Sequence, residues 1–111
     1  MVNPYSGEVA VVIDGQRHVM KLTLGALAAL EDQLGADSLV LLVGRFETGN
    51  QKARDILALL IAGLRGGGWS GAERDLLNAE IEGGIVEASR AAALLLMRAF
   101  SLPGDSQSGD I

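Results

Sequence analysis

Asp14-Gly15 lies between two short runs, Glu8–Ile13 and Arg17–Leu22, that are apolar at alternate positions. No other feature restricts the fold as tightly. A type I′ hairpin turn needs positive φ at both central residues, and Asp-Gly meets that need at little steric cost. With those two residues as the turn, the register follows: Ile13 faces Gln16, Val11 faces His18, Val9 faces Met20 and Glu8 faces Lys21. Alternation then gathers Val9, Val11, Ile13, Met20 and Leu22 on one face. A lone hairpin is marginal in water, so that face predicts a covering layer.

The rest of the chain reads as helices able to supply it. Thr23 is placed to cap a helix running to about Leu34, in which Leu27, Leu30 and Leu34 recur on one side. Gly35 is placed to end it. Asp37 or Ser38 is placed to cap a second helix, Leu39 to Phe46, although β-branched Val40 and Val43 leave a strand open as the alternative. A third helix is expected from Gln51 to Arg65. Its second half, Ile56 to Leu64, is apolar almost all round, which marks it as the central helix. Gly66-Gly67-Gly68 ends it. Ser70-Gly71-Ala72-Glu73 reads as a capping box for a fourth helix, with Leu76, Leu77 and Ile81 as its apolar stripe. Gly83-Gly84 interrupts, and a fifth helix follows from about Ile85 to Phe100. The expected architecture is α+β and predominantly helical: one domain over residues 1–100, with the hairpin at 8–22 packed on a bundle of four to five helices from 23 onward. The polar residues 101–111 read as a disordered tail.

Composition narrows the function. The chain carries 9 basic and 14 acidic residues, a formal net charge of -5, with no basic cluster. Nucleic-acid binding draws its affinity from Lys and Arg on phosphates, so nucleic acid is not an expected partner. There is no cysteine, which excludes disulfides and thiolate metal sites. The chain is 49% hydrophobic with a mean hydropathy of +0.30. The longest uncharged apolar stretch in its middle, Ile56 to Leu64, is too short to span a membrane. Met1-Val2-Asn3-Pro4-Tyr5 has neither a basic nor an apolar region of a secretory signal. The excess of apolar side chains is expected to be buried in the core or kept for a partner.

Motifs for chemistry are weak. Gly66-x-Gly68-x-x-Gly71 matches the glycine spacing of dinucleotide-binding loops, but it follows a helix, not the strand that this mechanism requires. His18 is the only histidine, and on the hairpin's apolar face it reads as a half-buried structural side chain. A small enzyme or ligand-binding module centred on His18 or the glycine run is the alternative of another class. The acidic residues Glu31, Asp32, Glu73, Asp75, Glu80, Glu82 and Glu87 fall on expected helix surfaces without a recognisable site sequence. The residues therefore predict no enzyme, no cofactor and no metal.

The fifth helix is more informative. Wound at 100° per residue, Glu87, Arg90 and Arg98 fall within a stripe roughly 80° wide, with Ala91 and Leu94 inside it. Most of the remaining circumference is apolar, more than the arc of about 100° that a surface helix needs. The helix is either packed deeply in its own bundle, or one flank meets a partner or a second copy. Ala91, Leu94, Leu95, Met97 and Arg98 are the candidate partner-binding residues. The small Ala91-Ala92-Ala93 run would admit a close helix, and Met97 an adaptable contact.

The Asp14-Gly15 hairpin runs directly into Leu22-Thr23-Leu24-Gly25-Ala26-Leu27, then Glu31 and Gly35. Ile61-Ala62-Gly63-Leu64-Arg65 follows with its glycine run, then a Ser-bearing helix start and an alanine- and leucine-rich last helix. From about Gly7 to Phe100 this pattern resembles the gene transfer agent family of small tail proteins, found in phages and phage-like particles and grouped with phage tail assembly chaperones. The resemblance implies no catalytic residue. It implies a tail assembly role, with a tape-measure or other tail protein as partner and a homo-oligomer allowed. The leading expectation is a chaperone that holds the tape-measure protein in the bacterial cytoplasm; the alternative is a structural tail component retained in the particle.

Overall fold

The computed structural model describes residues 7–35 and 39–100. The expected cap at Asp37 or Ser38 and the expected tail at 101–111 lie outside the described residues.

Strands β1 (Glu8–Ile13) and β2 (Gln16–Lys21) form a two-stranded antiparallel sheet. The register is the one the turn dictates, from Ile13↔Gln16 to Glu8↔Lys21. Asp14 and Gly15 both adopt positive φ, at 51° and 81°. Five helices follow: α1 (Leu24–Leu34), α2 (Leu39–Glu47), α3 (Ala53–Gly66), α4 (Glu73–Leu77) and α5 (Gly84–Phe100). The architecture is α+β with helix predominant.

Helix α3 is the centre. Ile56, Leu59 and the unbroken run Leu60 to Leu64 are buried, and the helix packs against β2, α1 and α5. Val9, Val11, Ile13, Met20 and Leu22 all join this core. Helix α5 covers β1 and lies close to α3 because the contact is built from small residues. A Cβ on Gly63 would stand 2.7 Å from Leu95 Cδ1 and 3.1 Å from Met20 Cβ. Gly66 and Gly67 bring the end of α3 onto the outer edge of β2: a Cβ there would fall 1.9 Å from the Lys21 carbonyl oxygen and 2.0 Å from that of Val19. A backbone contact that tight admits only glycine.

Three local expectations are corrected. Ser70 does not cap α4. The helix begins at Glu73, its N-cap is Ala72, and Asp75 closes the first turn by accepting the Ala72 amide at 2.8 Å. Trp69 prevents the earlier start: its amide donates to the Leu64 carbonyl at the end of α3, and its ring lies against Gly71. Leu77 is exposed, not part of a buried stripe, because α4 ends there. Ile81 is not helical; it forms a bridge to Ile13, with Asp14 donating to the Glu80 carbonyl and Glu82 to the Val12 carbonyl. At α2 the choice between helix and strand resolves as helix, which buries Leu42 and turns Val40 outward.

Candidate interaction surface

Successive residues of α5 separate into three faces. Ala88, Ala91, Ala92, Leu95 and Leu96 are buried. Their i, i+3, i+4, i+7, i+8 spacing makes one continuous stripe against α3 and β1. Glu87, Arg90, Leu94 and Arg98 follow the polar side. Arg90 is paired with Glu87 at 2.6 Å, which holds the Glu87 carboxyl below its ordinary pKa. Arg98 donates to the Glu8 carbonyl oxygen and so fastens α5 to the start of β1. The third face carries Val86, Ala93, Met97 and Phe100. Val86 is 77% exposed and Met97 58%.

This arrangement divides the five residues read from sequence as a partner surface. Ala91 and Leu95 are fully buried against the protein's own core. The close-approaching helix that the alanine run admits is α3 of the same chain. Leu94 is half-buried against the core cluster. Arg98 is half-buried and engaged with Glu8. Met97 alone of the five is well exposed. The 100° winding placed Ala91 inside the polar stripe, but the buried stripe of α5 is wide enough to take it in beside Ala88 and Leu95.

Met97 borders a groove of about 460 Å³ between α2 and the end of α5. Val43, Phe46, Ala93, Leu96, Met97 and Phe100 make its apolar lining, and Glu47 is its one acidic member. Val43 and Phe46 flank the buried Leu42 on α2 and are themselves half-buried against the core, which turns this side of the helix towards the end of α5. Arg45 fixes the helix further by donating to both carboxylate oxygens of Asp55. Asp55 is buried, which raises its pKa, but the Arg45 hydrogen bonds, the Lys52 amide and the Arg45 and Arg54 charges outweigh burial and hold the carboxyl below its ordinary value.

His18 stands where the register puts it, half-buried on the core side of β2. It borders an open hollow of about 410 Å³ with Gly67, Gly68, Trp69 and Ser70. Among the described residues His18 makes no hydrogen bond and no group of three or more His, Asp and Glu side chains could hold a metal. Gly66 and Gly67 meet the β2 backbone, which accounts for these two glycines, and Gly68 takes a φ of 102°.

Part of each edge of the sheet is covered within the chain. Gly66 and Gly67 lie on β2, and residues 80–82 pair with the end of β1. The large apolar side chains exposed among the described residues all lie on helices: Leu24, Val40, Leu41, Leu77, Ile85, Val86, Met97 and Phe100. No helix among the described residues is long and apolar enough to cross a membrane.

The chain matches, over residues 6–102, the profile of the family described as phage tail tube protein, GTA-gp10. It belongs to that family. No curated protein and no solved structure matches it. The family assignment makes the chain a tail protein of phages and gene transfer agents, among structural and not enzymatic proteins. It agrees with the gene transfer agent resemblance of the sequence. It does not carry the chaperone role that the resemblance also implied.

Proposed function

We propose that this protein is a structural component of a phage-type tail, retained in the particle, and that it acts by binding other tail proteins. The observation that carries this reading is the family match, which spans both the hairpin and all five helices. Its fold limits how such binding can occur. Addition of a neighbour's strand is opposed by the chain's own backbone where Gly66-Gly67 lies on β2 and where residues 80–82 meet the end of β1. The contacts are therefore assigned to helical surfaces, above all the α2–α5 groove. The reading is tested by gold labelling of an affinity tag on this chain in purified particles. Label along the tail supports it, and particles with normal tails and no label contradict it.

The groove favours a second reading, a chaperone for the tape-measure protein. An apolar trough between two helices is a suitable seat for an amphipathic client helix. Co-expression with the tape-measure protein distinguishes the two: a chaperone keeps that protein soluble and co-purifies with it, yet is absent from finished particles.

A further inference from the structure

We infer that the hollow between β2 and the loop after α3 is a binding site for a carboxylate, carried on an acidic side chain of a neighbouring protein. The hollow holds about 410 Å³. Arg17, His18 and Ser70 bring a guanidinium, an imidazole and a hydroxyl to it. The register sends Arg17 and His18 to opposite faces of β2. They share the hollow because it opens at the edge of the strand, where both faces end. Gly67 lies on the Val19 carbonyl, and the Trp69 amide donates to the Leu64 carbonyl. These two contacts hold the loop beside β2 and bring Trp69 and Ser70 to the lining. Among the described residues, the side chains of Arg17, His18 and Ser70 have no hydrogen-bond or ion-pair partner.

The charge of the lining selects the ligand. The chain carries 14 acidic residues against 9 basic ones, and other hollows on it reflect that balance. Glu80 and Glu82 line the one at Gly83-Gly84, Glu47 the α2–α5 groove, Glu82 and Glu87 the one beside Ala10, and Asp55 the one beside Leu34. The hollow at His18 has no carboxylate in its lining. It is a donor-rich site with a permanent cation on an acidic molecule, and such a site attracts an anion. A guanidinium takes a carboxylate through two parallel hydrogen bonds. Val19, Leu64 and Trp69 set apolar wall beside those donors, which suits a carboxylate on a methylene stem better than a free inorganic anion. Gly68 leaves room for it, since a Cβ there would meet nothing within 4 Å. The hollow shares no residue with the α2–α5 groove, so it adds a polar contact to the apolar one. Only the identity of the neighbour, another tail protein, rests on the tail reading.

Trp69 is the only tryptophan, and its place in the lining lets its fluorescence report occupancy. The full chain is titrated with a blocked alanine pentapeptide bearing a central glutamate, with the same peptide bearing glutamine, and with inorganic phosphate. The amide shifts of Gly67 and Gly68 are followed in parallel by NMR. The glutamate peptide should saturate with a dissociation constant on the order of 1 mM. The glutamine peptide and phosphate should each bind about tenfold more weakly or worse. Arg17→Gln should weaken the glutamate peptide about tenfold and His18→Gln roughly threefold. Arg90→Gln, which removes an equal charge on α5, should leave it unchanged. Arg17 is exposed, so its variant should keep the circular dichroism of the wild type. No saturable response in either readout up to about 50 mM overturns the inference. So does equal binding of the glutamine peptide, equal binding of phosphate, or a response that Arg17→Gln leaves intact. None of these results touches the tail reading, and particles that lack the chain leave the carboxylate site standing.

Discussion

Arg45 and Asp55 meet through two parallel hydrogen bonds, Nε to Oδ2 at 2.9 Å and Nη2 to Oδ1 at 3.1 Å. Asp55 Oδ2 also accepts the Lys52 amide at 2.8 Å and so closes the first turn of α3. One carboxylate thus starts the central helix and holds α2 beside it. Asp55→Ala removes both functions, with the two hydrogen bonds that Arg45 donates to this carboxylate. It should cost about 2–4 kcal/mol in urea denaturation. A near-neutral result would mean that the apolar contacts of Leu39, Leu42, Val43 and Phe46 hold α2 without the ion pair.

The same residue sets a pH dependence. Its folded pKa lies below the ordinary value, so the folded state favours the ionised form. The stabilisation is complete above the unfolded pKa of about 3.9 and is lost as pH falls through the lower, folded value. Stability should therefore be flat from neutral pH to about 5 with respect to this group, and fall steeply below about 4. Asp55→Asn should flatten that acid limb. Glu87 is shifted in the same direction by Arg90, but that pair is solvent-exposed and screened, and its share should vanish in high salt.

Gly66→Ala tests the contact between α3 and the sheet edge. The new methyl would fall on the Lys21 carbonyl, a backbone atom that cannot rotate away. The expected loss is about 1–3 kcal/mol or more. Gly68→Ala makes a poorer control because Gly68 has φ of 102°. Gly44→Ala, in open space within α2, should instead be neutral or slightly stabilising.

The two readings of α5 separate in a pair of truncations. Leu95→Ala should destabilise the fold by about 2–5 kcal/mol, since Leu95 is fully buried between α3 and the sheet. Met97→Ala should change stability by less than about 0.5 kcal/mol. Equal effects would show that the groove is part of the folded core.

The register of the hairpin was legible to the residue because one dipeptide fixes its turn and a period of two fixes its faces. The central helix was legible because Ile56 to Leu64 leaves no polar side to expose. The interaction surface was less so. Ala91 and Met97 are both compatible with either face of a helix this apolar, and only the position of α3 decides between them. Gly63 was the available signal, since a glycine inside a buried helix marks a close approach, here by Leu95. The groove needed α2 as well, and nothing in the sequence says that Phe46 stands opposite Met97. Ser70 misled for a different reason: a capping sequence holds only where the chain is free to turn, and Trp69 keeps this stretch on α3.

The central claim, that the chain is built into the tail, is tested most directly by its copy number in purified particles. Quantitative mass spectrometry should find it at a fixed, stoichiometric ratio to the other tail proteins. Particles with complete tails and only trace amounts of this chain would contradict the account and favour a protein that leaves once assembly is done.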